Sequence, residues 1–475
     1  MNEGSQAAEV ERRIERVTAR LLPDRRFENR LAAPQSLQAR MARLHVPAVS
    51  VAVIDRHRLD WARAFGEAEA GAGALVTTRS LFQAGSISKS VAALAIMRLV
   101  DDGVLDLDED VNAYLKSWRV PANGAWQPRV TLRQLLSHSA GTTVHGFLGY
   151  APSTALPSLI QILNGECPAT NRRVEVTAIP GLTFRYSGGG MAVVQQLIMD
   201  VLDHPFGEVI RELVLEPLAM IDSTYAQPLP HDWAARSVSG HQSPARPLEF
   251  RHFVFPEQAA AGLWTTPIDL SKLCVAVLQA YGGERGRVLS PASAVELLSP
   301  QLPGVGGADA YMGLGFSCRP ERTDVAFEHR GWNEGFVSQF RVFARIGKGA
   351  IVMTNANDGG ILIEELMQSL ALEYDWPGSS TKTAQAIDRG RDVIYTGHYS
   401  TPAGVAFSVT ERDGQLCLVV GQQPPLMLVP ISELDFFSPA VETSVAFATD
   451  DRGAIVGVTV TQAGTTIRAD RQPGA

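Results

Sequence analysis

The chain has 475 residues, 45% hydrophobic and 19% charged, and its net charge of −8 is spread over interspersed acids rather than gathered in a block. That length and balance suit a soluble protein of about two or three domains with ample material for a large core. Lysine and arginine form no dense patch, which excludes nucleic acid as a partner; the longest apolar run, Ser90 to Val100, is broken by Arg98 and too short to span a bilayer, which excludes the membrane.

The first residues, MNEGSQAAEVERRIERVTARLL, read as a charged amphipathic helix without the apolar segment of a secretory signal. Residues 1–39 are therefore expected to form an N-terminal helical extension, and the expected location is the cytoplasm. Cys167, Cys274, Cys318 and Cys417 are widely separated and match no zinc spacing, so they read as core residues in a reducing compartment. The stretch VPAVSVAVIDRHRLDWARAFGEA then predicts two strands around a polar turn at Asp55 to Arg58.

Residues 81–100, LFQAGSISKSVAALAIMRLV, place a polar knot before an apolar run whose pattern covers most of a helix surface; this predicts a buried helix from Ser86, stopped by Gly103. Helical runs such as VTLRQLLSH, SLIQILN and MAVVQQLIMDVL follow between Gly-, Pro- and Ser-rich loops. From FEHRGWNEGFVSQFRVFARIGKGAIVMTNAN the pattern turns to strands, and LIEELMQSLALEY adds one more helix. Strands at both ends and helices between them imply an α/β (α+β) unit, residues 40–375, whose sheet is assembled from distant segments. Residues 376–391 are polar and read as a linker. The short, evenly spaced strands of residues 392–475 predict a small antiparallel barrel or sandwich of about eight strands.

Three short motifs could carry chemistry. Ser86 and Lys89 are three apart, so on a helix the amine lies beside the hydroxyl, and a serine needs such a neighbouring base to become a nucleophile. Alone, Ser86 reads equally as a helix N-cap. A lysine in a first turn opposes the helix field, however, which argues for another purpose. About one or two SxxK matches are expected by composition in a chain of this size; a second, Ser379 to Lys382, lies in the linker with nothing apolar to bury it and is set aside. In FRYSGGG, Tyr186, Ser187 and Gly188 form a Gly-rich turn opening another apolar helix. In FEHRGWNEGF, His329, Arg330 and Gly331 begin a strand where glycine permits close approach. Taken singly, Tyr186 reads as a structural tyrosine and His329 as a surface residue.

Taken in order, the triple resembles the active-site motifs of the penicillin-recognising serine hydrolases, the superfamily of class C β-lactamases, D-alanyl-D-alanine carboxypeptidases, esterases and D-aminopeptidases. LLSHSAGTT, AAAGLWTTPIDL and VVQQLI resemble the same family, over about residues 40 to 375, and the last region looks like the lipocalin-like domain that follows many members. The resemblance implies a β-lactamase-like antiparallel sheet flanked by helices, with an all-α subdomain. It implies Ser86 as the acylated nucleophile, Lys89 as its base, Tyr186 as the proton relay and His329 in place of a common lysine. The backbone N–H groups of Ser86 and Trp332, beside Gly331, would form the oxyanion hole, with Arg330 and Gly188 lining the substrate site. Gly188 stands where the family usually has asparagine, and His329 lacks the fixed charge of lysine.

The implied function is hydrolysis of an ester, amide or peptide, D-amino-acid derivatives included, on a small-molecule or short-peptide substrate, without cofactor or metal. Acyl transfer or peptide cyclisation through the same acyl-enzyme, weak β-lactamase activity and a non-catalytic binding module are the alternatives. No GxSxG elbow, HExxH helix or P-loop is present. His138 and His145 lack a cysteine or carboxylate at ligand spacing, and Ser88 is the rival nucleophile. The oligomeric state is left open.

Overall fold

A computed structural model of the chain describes residues 3–21, 35–302, 310–321, 323–377, 392–401, 404, 406–412, 415–421, 425–438, 443–462 and 465–472. The chain divides into two compact units, one holding the described residues up to 377 and the other the strands beyond. The expected linker lies outside the described residues from 378 to 391, as does the second SxxK match. Trp376, near its start, is buried against Phe343.

The larger unit opens with α1 (Glu3–Ala19) and α2 (Leu37–Arg43), then the hairpin β1 (Ala48–Asp55) and β2 (Arg58–Gly66). Arg56 and His57 both take positive φ in its two-residue turn, the conformation that matches the twist of paired strands. Next come α3 (Ser88–Asp101), α4 (Gly188–Leu202) and α5 (Pro267–Tyr281). The chain returns through β3 (Tyr311–Met312), β4 (Ser317–Glu321), β5 (Asp324–Asn333), β6 (Phe336–Phe343) and β7 (Lys348–Thr354), and closes with α6 (Gly359–Glu373). The seven strands form one antiparallel sheet in the order β2-β1-β7-β6-β5-β4-β3, so N-terminal strands pair with a strand 300 residues away, as in Val51 opposite Val352.

Alternation along β1 explains the layers. Val49, Val51 and Val53 join α1, α2 and α6 in one apolar cluster, while Ala48, Ala52 and Ile54 join α3, α4 and α5 in another. Side chains on a strand alternate between faces, so a strand covered on both sides reads as the near-continuous apolar run AVSVAVI. On the first face Arg40 of α2 meets Glu365 of α6 in a buried pair, Nε to Oε2 at 2.8 Å. On the second face Ala52, Ile351, Phe340 and His329 lie in one row across β1, β7, β6 and β5, which places His329 at the α3 side of the sheet.

In the second unit, nine antiparallel strands run from Gly397–Ser400 to Thr465–Arg471. Its two edge strands, Leu426–Met427 and Val429–Pro430, are one residue apart in sequence, so the edges meet and the sheet nearly closes into a barrel. Tyr399, Phe407, Val409, Leu418, Phe436 and Phe447 fill the interior. Both the sheet flanked by helices and the C-terminal barrel agree with expectation; the strand number is one more than the sequence pattern suggested. No helix among the described residues is long and apolar enough to cross a membrane.

Candidate active site

Ser86 does not open the α-helix. It sits in a tight 3-10 turn, Gly85–Ile87, and α3 starts at Ser88 with no side-chain cap. The turn needs Gly85, whose φ of +52° is left-handed. Ser88 then locks it: its Oγ donates to the Gly85 carbonyl at 2.6 Å and accepts the Leu263 N–H at 3.0 Å. That hydroxyl is fully buried and committed on both sides, which argues against Ser88 as the rival nucleophile. Ser88→Ala is expected to leave the Leu263 N–H unsatisfied and cost about 1–3 kcal/mol in denaturant unfolding, while a fluorophosphonate probe still labels the protein.

Ser86 is partly exposed, and its Oγ lies 2.8 Å from Lys89 Nζ. Lys89 is 2% exposed, and its Nζ also donates to the Ala260 carbonyl at 2.7 Å. The awkward place of a lysine at the positive end of a helix is thus resolved by one carbonyl and one hydroxyl. Lys89 Nζ lies 5.0 Å from the centre of the Tyr186 ring.

Tyr186 is held by the turn that follows it. Ser187 caps α4, accepting the Gly190 N–H at 3.0 Å and donating to the Thr143 carbonyl at 2.7 Å. Gly188 and Gly189 donate to the carbonyls of His145 and Val144, and Arg185 to that of His138, so residues 138–145 and 185–189 are zipped together. The Tyr186 ring is flanked by His138 at 4.2 Å and His145 at 5.1 Å between centroids. These two histidines line the phenol. His138 is buried with positive φ, its Nδ1 accepts the Ser187 N–H, and burial followed by the Lys89 charge holds its pKa well below the usual histidine range.

His329 comes to the same charge neighbourhood. Burial, then the charge of Lys89, lowers its pKa to about 4, and its Nδ1–H donates to the Arg330 carbonyl at 2.8 Å. It is therefore a neutral imidazole at neutral pH. Gly331 is required by close packing: a Cβ there would lie 1.9 Å from the Ala84 oxygen and 2.4 Å from Ser338 Oγ. The Trp332 backbone also lies close to Gly85, where an added Cβ would be 2.6 Å from the Trp332 nitrogen. The two glycines thus press the Trp332 amide against the turn that carries Ser86.

Two expected members behave differently. Arg330 is not brought to the cluster; strand alternation turns it away from His329, and its largely exposed guanidinium pairs with Glu364 of α6. At Gly188, an added Cβ would meet Phe147, Gly146 and His145 at 3.1–3.3 Å, so a side chain there would crowd these neighbours. Sequence reasoning also overlooked the Ala260 carbonyl, a backbone group with no residue signature. It overlooked Asn333 too, whose amide ties β5 to Gln83 and the Ala261 carbonyl at 3.1 and 3.2 Å. The strand period from His329 to Gly331 to Asn333 could have pointed to that side chain.

The β-lactamase family profile matches residues 34–367, well over half of the chain. A 225-residue stretch is 26% identical to esterase EstB of Burkholderia gladioli, covering 46% of this chain and 57% of that esterase, so the chain spans little more than half of that relative. The octameric penicillin-binding protein homologue from Pyrococcus abyssi shares the fold with a TM-score of 0.61 at 22% identity, covering 91% of this chain and 98% of its own. The D-amino acid amidase from Ochrobactrum anthropi, complexed with L-phenylalanine, shares it with a TM-score of 0.58 at 18% identity, over 78% and 98%. With an ordered triple of motifs, this sheet and helices, and the family match across residues 34–367, the chain belongs to the β-lactamase family of serine hydrolases.

Proposed function

We propose that the protein forms a covalent acyl-enzyme on Ser86 and hydrolyses small ester or amide substrates that carry no carboxylate, D-amino-acid derivatives included. The observation that carries this reading is the 2.8 Å contact between a partly exposed serine hydroxyl and a buried lysine amine anchored on a carbonyl. Once it has released a proton, Lys89 Nζ keeps one N–H on the Ala260 carbonyl and turns a lone pair to Ser86. It takes the hydroxyl proton as Oγ bonds to the substrate carbonyl carbon. The oxygen of the tetrahedral intermediate is taken by the backbone N–H groups of Ser86 and Trp332, donors of a kind worth about 3 kcal/mol each. Collapse expels the leaving alcohol or amine, which receives the proton through Tyr186. Water, giving its proton to the same relay, then attacks the acyl carbon and frees acid and Ser86.

Electrostatics disfavour substrates with a carboxylate. His329 is neutral and Arg330 is engaged by Glu364, so the fixed cation that would greet a substrate carboxylate is missing from both expected positions. The lost asparagine amide at Gly188 argues the same way against β-lactams. A cytoplasmic location belongs to this reading and is supported by four cysteines without disulfides, of which Cys274, Cys318 and Cys417 are buried as expected and Cys167 is exposed instead.

The test is a panel of aryl esters, D- and L-amino acid anilides and a chromogenic cephalosporin. Esters or anilides are expected to be turned over fastest, with no significant rate in Ser86→Ala. A dominant cephalosporinase rate would overturn the substrate class.

A further inference from the structure

The group that anchors Lys89, the Ala260 carbonyl, belongs to a single turn of helix, Gln258–Ala261, and the residue entering that turn is Glu257. Both Ala260 and Ala261 donate their N–H groups to the Glu257 backbone carbonyl, each at 3.0 Å. Gln195 of α4 clamps the turn on either side of it, donating to the Pro256 carbonyl and accepting the Ala259 N–H, both at 3.0 Å. The Glu257 side chain is fully buried, and neither carboxyl oxygen makes a hydrogen bond of good geometry; the Tyr150 hydroxyl and the Glu257 backbone N–H are its nearest donors. A buried carboxylate without well-placed donors is costly, whereas a neutral carboxyl in the same place is tolerable.

We infer that Glu257 is a positioning residue for Lys89: while its carboxyl is neutral the Pro256–Ala261 turn stays closed and holds the Ala260 carbonyl on Nζ, and ionisation opens the turn and withdraws that carbonyl. The inference rests on Lys89 acting as base for Ser86. Burial pushes the Glu257 pKa up to about 7, which puts this change in the neutral range. The backbone N–H of Glu257 and the Tyr150 hydroxyl favour the anion, but burial outweighs them. Tyr150, the titratable side chain beside it, is itself pushed upward by burial and by the Glu257 charge. Of the elements packed on the turn, α4 offers neutral Gln195, the Phe206–Ile210 helix carries exposed Glu208, and Lys89 of α3 is reached across Ala260. Because the folded value is raised, the unfolded chain releases the Glu257 proton first, so stability falls as pH rises from about 4.5 to 7 and then levels.

The experiment follows Ser86 labelling by a fluorophosphonate from pH 5.5 to 8.5 in wild type and Glu257→Gln. The ratio of variant to wild-type rate cancels every other titration. It is expected near one at pH 5.5 and at least about tenfold by pH 8.5, since an ionising group with this pKa removes about tenfold per unit above it. A ratio constant across the range overturns the proposal. Infrared difference spectra of wild type give a second measure that needs no variant. A protonated carboxyl band present at pH 5.5 and lost in step with the labelling rate supports it, and no such band at pH 5.5 overturns it. Lys89→Ala separates the two readings. If Lys89→Ala labels as fast as wild type, the base assignment itself fails; if it is dead while the Glu257→Gln ratio is flat, this inference alone fails.

Discussion

Lys89→Arg is expected to lower kcat/KM for an aryl ester by about 10³- to 10⁴-fold, as much as Lys89→Ala, with both proteins folded. General-base catalysis alone contributes about 10²–10⁴-fold, and members of one catalytic unit lose more than their separate shares. The arginine variant is the informative one. Guanidinium keeps the positive charge and can still donate to Ser86 and to the Ala260 carbonyl, which lie 2.8 and 2.7 Å from Nζ. It does not give up its proton at any working pH, so it cannot accept one from Ser86. If charge alone were required, Lys89→Arg would stay within about tenfold of wild type. Steady-state kinetics with a melting curve for each variant decides between the two.

The second large effect is expected at a residue with no side chain. Gly331→Ala puts a methyl 1.9 Å from the Ala84 oxygen and 2.4 Å from Ser338 Oγ, and the first of these neighbours is backbone. β5 has to move away from the Ser86 turn, carrying the Trp332 amide with it. Loss of one oxyanion donor costs about 10²–10³-fold in kcat, and overpacking of this kind adds about 1–3 kcal/mol of destabilisation. Trp332→Ala is the control. The indole is 48% exposed and the variant keeps the backbone N–H, so kcat is expected within about tenfold of wild type. Equal damage from both substitutions would mean that the indole, not the amide, serves the site.

What the sequence revealed of this site follows from the kind of constraint each residue obeys. Ser86 and Lys89 were legible because a three-residue spacing puts two side chains together in any helical turn, even though the turn proved tighter than an α-helix. Tyr186 and His329 were legible as members of an ordered set of motifs. Arg330 was misplaced because the expectation followed its position beside His329. Strand alternation and a partner on α6, 34 residues further on, decided its direction. The Ala260 carbonyl left no trace, since any residue offers one. In the fold, the α/β sheet could be expected from strands at both ends of the unit. The ninth barrel strand could not, because Leu426–Met427 and Val429–Pro430 are two residues each and too short to show alternation.

The central claim is that Ser86 becomes acylated. The most direct measurement is intact-mass spectrometry of the full chain after incubation with a fluorophosphonate or a slowly released aryl ester, followed by peptide mapping. The account predicts one adduct per chain, on Ser86, absent from Ser86→Ala and retained in Ser88→Ala. An adduct on Ser88, or turnover at the wild-type rate by Ser86→Ala, would contradict it.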